Sequence, residues 1–379
     1  MCIIYVMFIG IDAFGCDQGR SGIGLYLLSL LANLPEDENI SYDRFGSEFE
    51  RYTYSGVADK INYTGIKVSD TVASEISWHK YRCNSFILKQ GYDVALYPVG
   101  SRFLPKKFKI PSVAVVNEVI SKIDEYKANP LYAHYIRRSL KKCKKIIAPS
   151  LFVKKDLISL GVPNKKIEVI YNGINHSLFY PREITNNDIV NINPFAIKRP
   201  YIICASKLQS ESKKHVELIR AFSLFKKNTG LPHRLVLAGE EGAYSDVVHK
   251  EVALSEYASD IFLTGFFPHE SLPELYSCAD ACVFPSVAEG VGLPVLEAFA
   301  CGIPVACAKA GALPEMVGNH ALYFDPDDIN ATAEAIEKII TDKALREELL
   351  SGSIEWANRF SWKKTAQRTM EVISSVALG

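Results

Sequence analysis

Phe284-Pro285-Ser286-Val287-Ala288-Glu289-Gly290-Val291-Gly292-Leu293-Pro294-Val295-Leu296-Glu297-Ala298 is the stretch on which the reading of this chain turns. The apolar run Ala281–Phe284 leads into it and helix-forming residues follow Pro294, so it reads as a buried strand that passes through a glycine-containing loop into a helix. Gly290 and Gly292 let the backbone turn tightly and come close to a ligand. Pro294 suits the first helical position, where its missing N–H costs nothing, and the free N–H groups beside it point out from the positive end of the helix dipole. That is an anion site, most naturally for a diphosphate. Glu289 stands in the loop and Glu297 about one turn into the helix. Beside a phosphate site, a carboxylate is better suited to accepting hydrogen bonds from sugar hydroxyls, so one of the pair suits a ribose and the other a transferred sugar. The bland alternative is a strand-helix turn with a capping glutamate and a solvated one.

Working outward, short apolar runs bounded by Gly, Pro or Asp alternate with helix-period segments, the signature of strand-helix units that build parallel sheets. In the first half the strands are expected at Ile3–Ile9, Val94–Tyr97, Ser112–Val116, Ile146–Ala148 and Ile167–Ile170. In the second they fall at Tyr201–Ala205, Arg234–Leu237, Ile261–Leu263, Ala281–Phe284, Val305–Ala306 and Ala321–Phe324, with helices at His215–Lys227, Leu272–Cys278, Ala331–Ile340, Lys343–Leu350 and Trp362–Ser375. Residues 38–80 are polar, aromatic and irregular, and resist assignment. The Asn- and Pro-rich stretch 181–200 reads as a linker between an N-terminal domain, 1–180, and a C-terminal domain, 201–361. A length of 379 residues fits two such domains.

Composition narrows the function. Hydrophobic residues make up 48% and charged residues 23%, which describes a folded chain. The 43 basic and 43 acidic residues cancel, arguing against nucleic-acid binding through bulk charge. The balance is uneven: residues 1–185 carry 25 Lys and Arg against 18 Asp and Glu, and the remainder the reverse. Nine cysteines lie scattered without C-x-x-C pairs, so neither a disulfide frame nor a zinc site is expected and a reducing cytoplasm fits. The opening run Ile3–Ile9 stops far short of the roughly 20 apolar residues that span a membrane, and reads as a strand rather than an export signal.

Further blocks accompany the opening stretch: Phe262-Leu263-Thr264-Gly265, Leu272-Pro273-Glu274-Leu275-Tyr276, Ala300-Cys301-Gly302-Ile303-Pro304-Val305, Gly311-Ala312-Leu313-Pro314-Glu315-Met316-Val317-Gly318 and Asp325-Pro326. In that order and spacing they resemble the C-terminal domain of family 4 glycosyltransferases, retaining enzymes of the GT-B fold. The resemblance covers most of the chain, with 38–100 outside it. It implies two Rossmann-like domains facing each other across a cleft, the first completed by 362–379, where Phe360-Ser361-Trp362-Lys363 matches the start of the family's final helix. It implies that Glu297 holds the nucleotide ribose, that Glu289 contacts hydroxyls of the donor sugar, and that N–H groups around Gly292 and Leu293, in the loop with Gly290 and Val291, meet the diphosphate. Val291 replaces an aromatic residue common in the family.

Departure of a nucleoside diphosphate leaves growing negative charge, which fixed cations stabilise. The resemblance implies such cations at Lys207, after the strand Tyr201–Ala205, and at Lys213 or Lys214 by the next helix. Counting back from Ala221-Phe222 favours Lys214. Near the start, Gly19-Arg20-Ser21-Gly22-Ile23-Gly24 precedes an apolar helix, Leu27–Leu34, and the resemblance makes Gly22 and Gly24 substrate contacts. After the strand Ser112–Val116 the family commonly has a His and an acidic residue, whereas this chain has Asn117-Glu118. Asn117 hydrogen-bonds but does not titrate near neutral pH, so it is expected as a sugar contact in a transfer where the leaving phosphate helps deprotonate the acceptor. Ser150 and Asn172-Gly173 are expected to line the cleft.

The resulting expectation is a metal-independent, retaining hexosyltransferase, with mannose from GDP-mannose as the first guess, acting on a glycan or lipid-linked acceptor in cell-surface polysaccharide or glycolipid synthesis. The nucleotide-diphosphate sugar is a co-substrate and no cofactor is expected. The one Asp-x-Asp, Asp325-Pro326-Asp327, reads as a capping turn, not a metal site. Arg137, Arg138, Lys141, Lys142, Lys144 and Lys145 would form a basic helix face, either solvated or in peripheral contact with anionic lipid on the cytoplasmic side. Two alternatives are carried: a catalytically silent nucleotide-sugar-binding subunit, motivated by Asn117, and a nucleotide-sugar epimerase.

Overall fold

A computed structural model of the chain describes residues 6–16, 22–48, 61–69, 71–183, 189–192, 195–266 and 268–379. Ile3–Tyr5 of the expected first strand, the Gly19-Arg20-Ser21 part of the glycine-rich segment, and 184–188 and 193–194 of the expected linker lie outside these. The chain divides into two compact units, one of Met1–Gly173 with Trp362–Gly379 and one of Ile174–Ser361.

The first unit is built on a seven-stranded sheet of β1 (Met7–Asp12), β2 (Ile40–Ser47), β3 (Asn62–Ile66), β4 (Val94–Tyr97), β5 (Ser112–Val115), β6 (Lys145–Ala148) and β7 (Ile167–Val169). Its order is β3-β2-β1-β4-β5-β6-β7, with every pairing parallel. Helices cover both faces, so β4 and β5 are buried along their whole length and read as unbroken apolar runs. Ile9, Ile11, Leu96, Val113 and Val115 point to one face, where the helices Gly22–Ala32 and Trp362–Ala377 pack. Ala95, Tyr97, Ala114 and Ile146 point to the other. The C-terminal helix is held by an edge-on contact of Trp362 with Tyr26 (centroids 5.6 Å apart) and a hydrogen bond from Thr365 Oγ1 to the Tyr171 carbonyl (2.7 Å).

The unassigned stretch 38–80 contains β2, β3 and the helix Val72–Tyr81. β2 buries Asp43 and Arg44, which removes the apolar alternation a strand ordinarily shows. They are accepted inside because they are paired: Asp43 Oδ2 accepts from Tyr92 and from Thr64 Oγ1, and Arg44 Nη2 donates to the Ile61 carbonyl.

The expected six-residue basic helix face is corrected. The helix Pro130–Lys142 buries Ala133, Ile136, Ser139 and Leu140, but it ends before Lys144, and Lys145 opens β6 and pairs with Glu168 at 2.6 Å. Ser150, expected in a cleft, caps the helix Leu151–Ser159 by accepting from the Val153 N–H. Gly22 and Gly24 lie inside the first turn of the helix Gly22–Ala32, not in a turn ahead of it.

The first strands of the second unit are an antiparallel pair, β8 (Ile189–Ile192) and β9 (Phe195–Lys198), where a linker was expected. Its main sheet comprises β10 (Tyr201–Ala205), β11 (Arg234–Ala238), β12 (Ile261–Leu263), β13 (Ala281–Phe284), β14 (Val305–Ala308) and β15 (Ala321–Phe324), in the order β12-β11-β10-β13-β14-β15 and parallel throughout. That is the doubly wound Rossmann order, whose direction of growth reverses between β10 and β13. Among the described residues no helix is long and apolar enough to cross a membrane, and the eight cysteines are free thiols.

Ile373, on the C-terminal helix, is fully buried against the first sheet. Ile373→Ala is expected to cost the first unit about 2–5 kcal/mol through lost burial and a residual cavity, read as a lower urea midpoint. A change under about 0.5 kcal/mol, the size of an ordinary surface effect, would mean the helix does not complete that unit.

Candidate functional site

In open α/β sheets ligands bind at the carboxyl ends of the strands where the order reverses, here the ends of β10 and β13. β13 runs into the 285–292 loop and the helix Leu293–Ala300, whose N-cap is Gly292 at φ 74°. A side chain there would be strained and would also crowd Met316 and Leu313. Pro294 takes the second helical position rather than the first. Gly311 also has positive φ, and a Cβ on it would lie 2.7 Å from the Glu289 carbonyl oxygen, which accepts the Ala312 N–H at 2.9 Å. The loop is therefore clamped from a neighbouring turn that only glycine permits.

The Glu289 carboxylate is shared. Oε1 accepts from the Gly292 N–H at 3.4 Å and Oε2 from Lys213 Nζ at 2.8 Å. Lys213 leaves the turn Glu211–Lys213, which is tied to the same loop by the Val287 N–H donating to the Ser212 carbonyl at 2.9 Å. It is Lys213, and not the expected Lys214, that the structure brings to Glu289. Lys214 occupies the left-handed region at φ 59°, and its ammonium turns to Glu217 (2.9 Å) and Asp327 (2.6 Å). Lys207 extends to Glu240 at 2.8 Å, both half-exposed. Asp327 also borders a groove of about 590 Å³ with Val287, Lys309, Ala310, Tyr323 and Asp325.

Glu297 is buried, and His269 Nε2 approaches its Oε1 at 3.5 Å while the imidazole packs edge-on against Phe179. Burial disfavours charge on His269, but the hydrogen bond and charge of Glu297, with Glu270 adding, outweigh it and hold the imidazole above its ordinary value. His269 was not legible beforehand: nothing in a histidine 28 positions before Glu297 marks it as that residue's partner.

Asn117, Gly22 and Gly24 belong to the first unit. Asn117 follows β5, and its Oδ1 accepts from Asn172 Nδ2 at 3.3 Å, while Asn117 Nδ2 and Asn172 Oδ1 are buried without partners. Glu118 is occupied by Ser101 Oγ (2.5 Å) and Arg102 (3.0 Å).

Two family models match, Glycosyltransferase Family 4 over residues 72–178 and Glycosyl transferases group 1 over 186–356. Together they span well over half of the chain. The chain belongs to the family 4 glycosyltransferases. This chain is similar to the O-antigen chain mannosyltransferase B of Escherichia coli, 35% identical over 42% of each chain. It is also similar to the sulfoquinovosyl transferase SQD2 of Arabidopsis thaliana, 25% identical over 61% of this chain and 44% of that one. The match spans less than half the length of these relatives. Its fold is GT-B, shared with Anabaena HepE solved with UDP and glucose (TM-score 0.73, 19% identity, covering 97% of this chain and all of that one). The sucrose-phosphate synthase of Thermosynechococcus elongatus is comparable (TM-score 0.73, 20% identity, covering 97% and 98%).

Because the pKa of the His269 imidazole is raised in the folded chain, its pair with Glu297 stabilises fully below the ordinary value of 6.5 and loses that contribution as pH rises through the raised value. The stability gap between wild type and His269→Gln is expected to be larger at about pH 5.5 than at about pH 9, by urea titration. An equal gap at both would show that the pair does not act through charge.

Proposed function

We propose that this chain is a retaining, metal-independent hexosyltransferase that moves a sugar, mannose in the first instance, from a nucleotide-diphosphate donor to an acceptor hydroxyl in cell-surface polysaccharide or glycolipid synthesis. The observation that carries the reading is the Glu289 carboxylate held between Lys213 and the Gly292 N–H at the tip of a helix. Relatives named as mannosyltransferases, and a neighbour of the same fold solved with UDP-glucose, support the substrate class.

In this reading Glu297 accepts from the ribose, Glu289 from hydroxyls of the donor sugar, and the N–H groups at Gly292 and Leu293 face the diphosphate. The anomeric carbon–oxygen bond breaks with its electron pair leaving on the β-phosphate, where Lys207 and Lys213 offset the charge. The acceptor oxygen forms its bond on the same face and its proton passes to the departing phosphate oxygen, so no titrating side chain is required at Asn117. The Asn117–Asn172 pair, with one free donor and one free acceptor, suits sugar hydroxyls. A silent binding subunit would use the same polar groups, and differs by binding donor without turnover.

Thermal-shift measurements against UDP-, GDP-, ADP- and dTDP-sugars are expected to show a raised melting temperature with one of them, and that donor should be turned over in the presence of EDTA. Glu289→Ala should lower turnover by about 100-fold or more. Binding without any transfer or hydrolysis above background would favour the silent subunit, and loss of turnover in EDTA would reject metal independence. Lys213→Ala should lower kcat by about 100-fold, whereas Lys214→Gly, which suits the left-handed backbone, should leave it nearly unchanged. The opposite ranking would return the cation role to Lys214.

A further inference from the structure

The two strands that flank the reversal point each lead to a serine, Ser206 directly after β10 and Ser286 after Pro285 at the end of β13. Ser206 Oγ lies 2.8 Å from His215 Nε2. Ser206 is part-exposed, whereas His215, the first residue of the helix His215–Thr229, is completely buried and its Nδ1 has no partner. The imidazole is neutral: burial first, and then the Lys213 ammonium, bring its pKa down to about 4.

A neutral imidazole carries one ring proton, and its location decides what Ser206 can do. On Nδ1 it would be a buried N–H with no acceptor. On Nε2 it is used on Ser206, and Nδ1 is left with only an unmet lone pair. Orphaned buried N–H groups are rarer than under-used acceptors, so the Nε2 proton is favoured. With Nε2–H donating to it, Ser206 Oγ must send its own proton elsewhere. Its other neighbour is the Cys204 thiol at 3.9 Å, a weak acceptor. A hydroxyl fixed in this way is a dedicated donor, which suits an anionic oxygen better than a sugar hydroxyl.

We propose that His215 is a positioning residue that holds Ser206 as a hydrogen-bond donor to the diphosphate of the nucleotide, close to the Lys213–Glu289 pair. The inference rests on the nucleotide-sugar reading above. Three observations place Ser206 there: it directly follows the central strand at the reversal point, its partner His215 stands two residues after Lys213, and the turn carrying Lys213 is bonded to the loop carrying Glu289.

The test is calorimetric titration of the full chain with UDP, GDP, ADP and dTDP, using wild type, Ser206→Ala, His215→Phe, His215→Gln and the Ser206→Ala/His215→Phe double variant. Ser206→Ala is expected to weaken the nucleotide that wild type binds by roughly tenfold, the loss of one hydrogen bond to a charged group. His215→Phe should do the same, the double variant should be no weaker than Ser206→Ala, and His215→Gln, whose amide N–H replaces Nε2–H, should restore affinity. Additive losses, a folded His215→Gln as weak as His215→Phe, or unchanged affinity in Ser206→Ala each overturn the inference. Should His215→Phe fail to fold, Ser206→Ala and His215→Gln decide alone. If wild type binds none of the four nucleotides, the nucleotide-sugar reading falls and the inference with it. Wild-type binding left intact by Ser206→Ala removes the inference only.

Discussion

The carboxylate of Glu289, drawn between an ammonium and a helix-tip N–H, is the contact from which the site is organised. Both charged side chains are mostly buried, Lys213 at 23% and Glu289 at 15% exposure, so each depends on the other to offset the loss of water. The pair exists because two backbone positions carry no Cβ. Gly292 turns the chain into the helix in the left-handed region, and Gly311 lets the 311–312 turn come close enough to bind the Glu289 main chain. Any further hydrogen-bond donor reaching Glu289 must share or replace these bonds, which couples its approach to the position of Lys213.

Two kinds of buried polar group separate structural from functional ground. Asp12 and His79 form a closed set: Asp12 accepts from the Phe14 N–H and meets His79 Nε2 at 2.7 Å, while His79 Nδ1 reaches the Glu75 carbonyl. Such a set anchors the first sheet to the helix Val72–Tyr81 and leaves nothing for a ligand. Ser286, His215, Asn117 and Asn172, all at or just beyond strand ends or a helix start, each keep a buried atom without a partner. Native interiors leave few such groups, and these four, unlike Asp12 and His79, keep polar capacity for a further partner.

Much of this was legible in the residues. β10 and β13 fall where their apolar runs placed them, because strands buried along their whole length need uninterrupted hydrophobic side chains. The edge strands β12 and β15 fall where expected as short apolar runs closed by Thr264-Gly265 and Asp325. β2 was not legible, since its buried Asp43 and Arg44 are tolerated only through Tyr92, Thr64 and the Ile61 carbonyl, the first of them nearly fifty residues away. The basic run 137–145 looked like one helix face, yet the chain leaves the helix at Cys143, where Lys145 is needed as the first residue of β6. The pair β8–β9 replaced an expected linker because its main chain is satisfied by cross-strand bonds that composition does not reveal.

Residue order alone was enough to establish the doubly wound units, the helix tip with its two glutamates, and the family, since periodicity, glycine placement and local spacing are properties of neighbours along the chain. Packing was needed to bring Lys213 rather than Lys214 to Glu289, to bring His269 to Glu297 and to bury His215 against Ser206. These depend on backbone dihedrals and on contacts between distant segments. Adjacent lysines are chemically identical, and only the φ of 59° at Lys214 turns one toward Asp327 and leaves the other for Glu289.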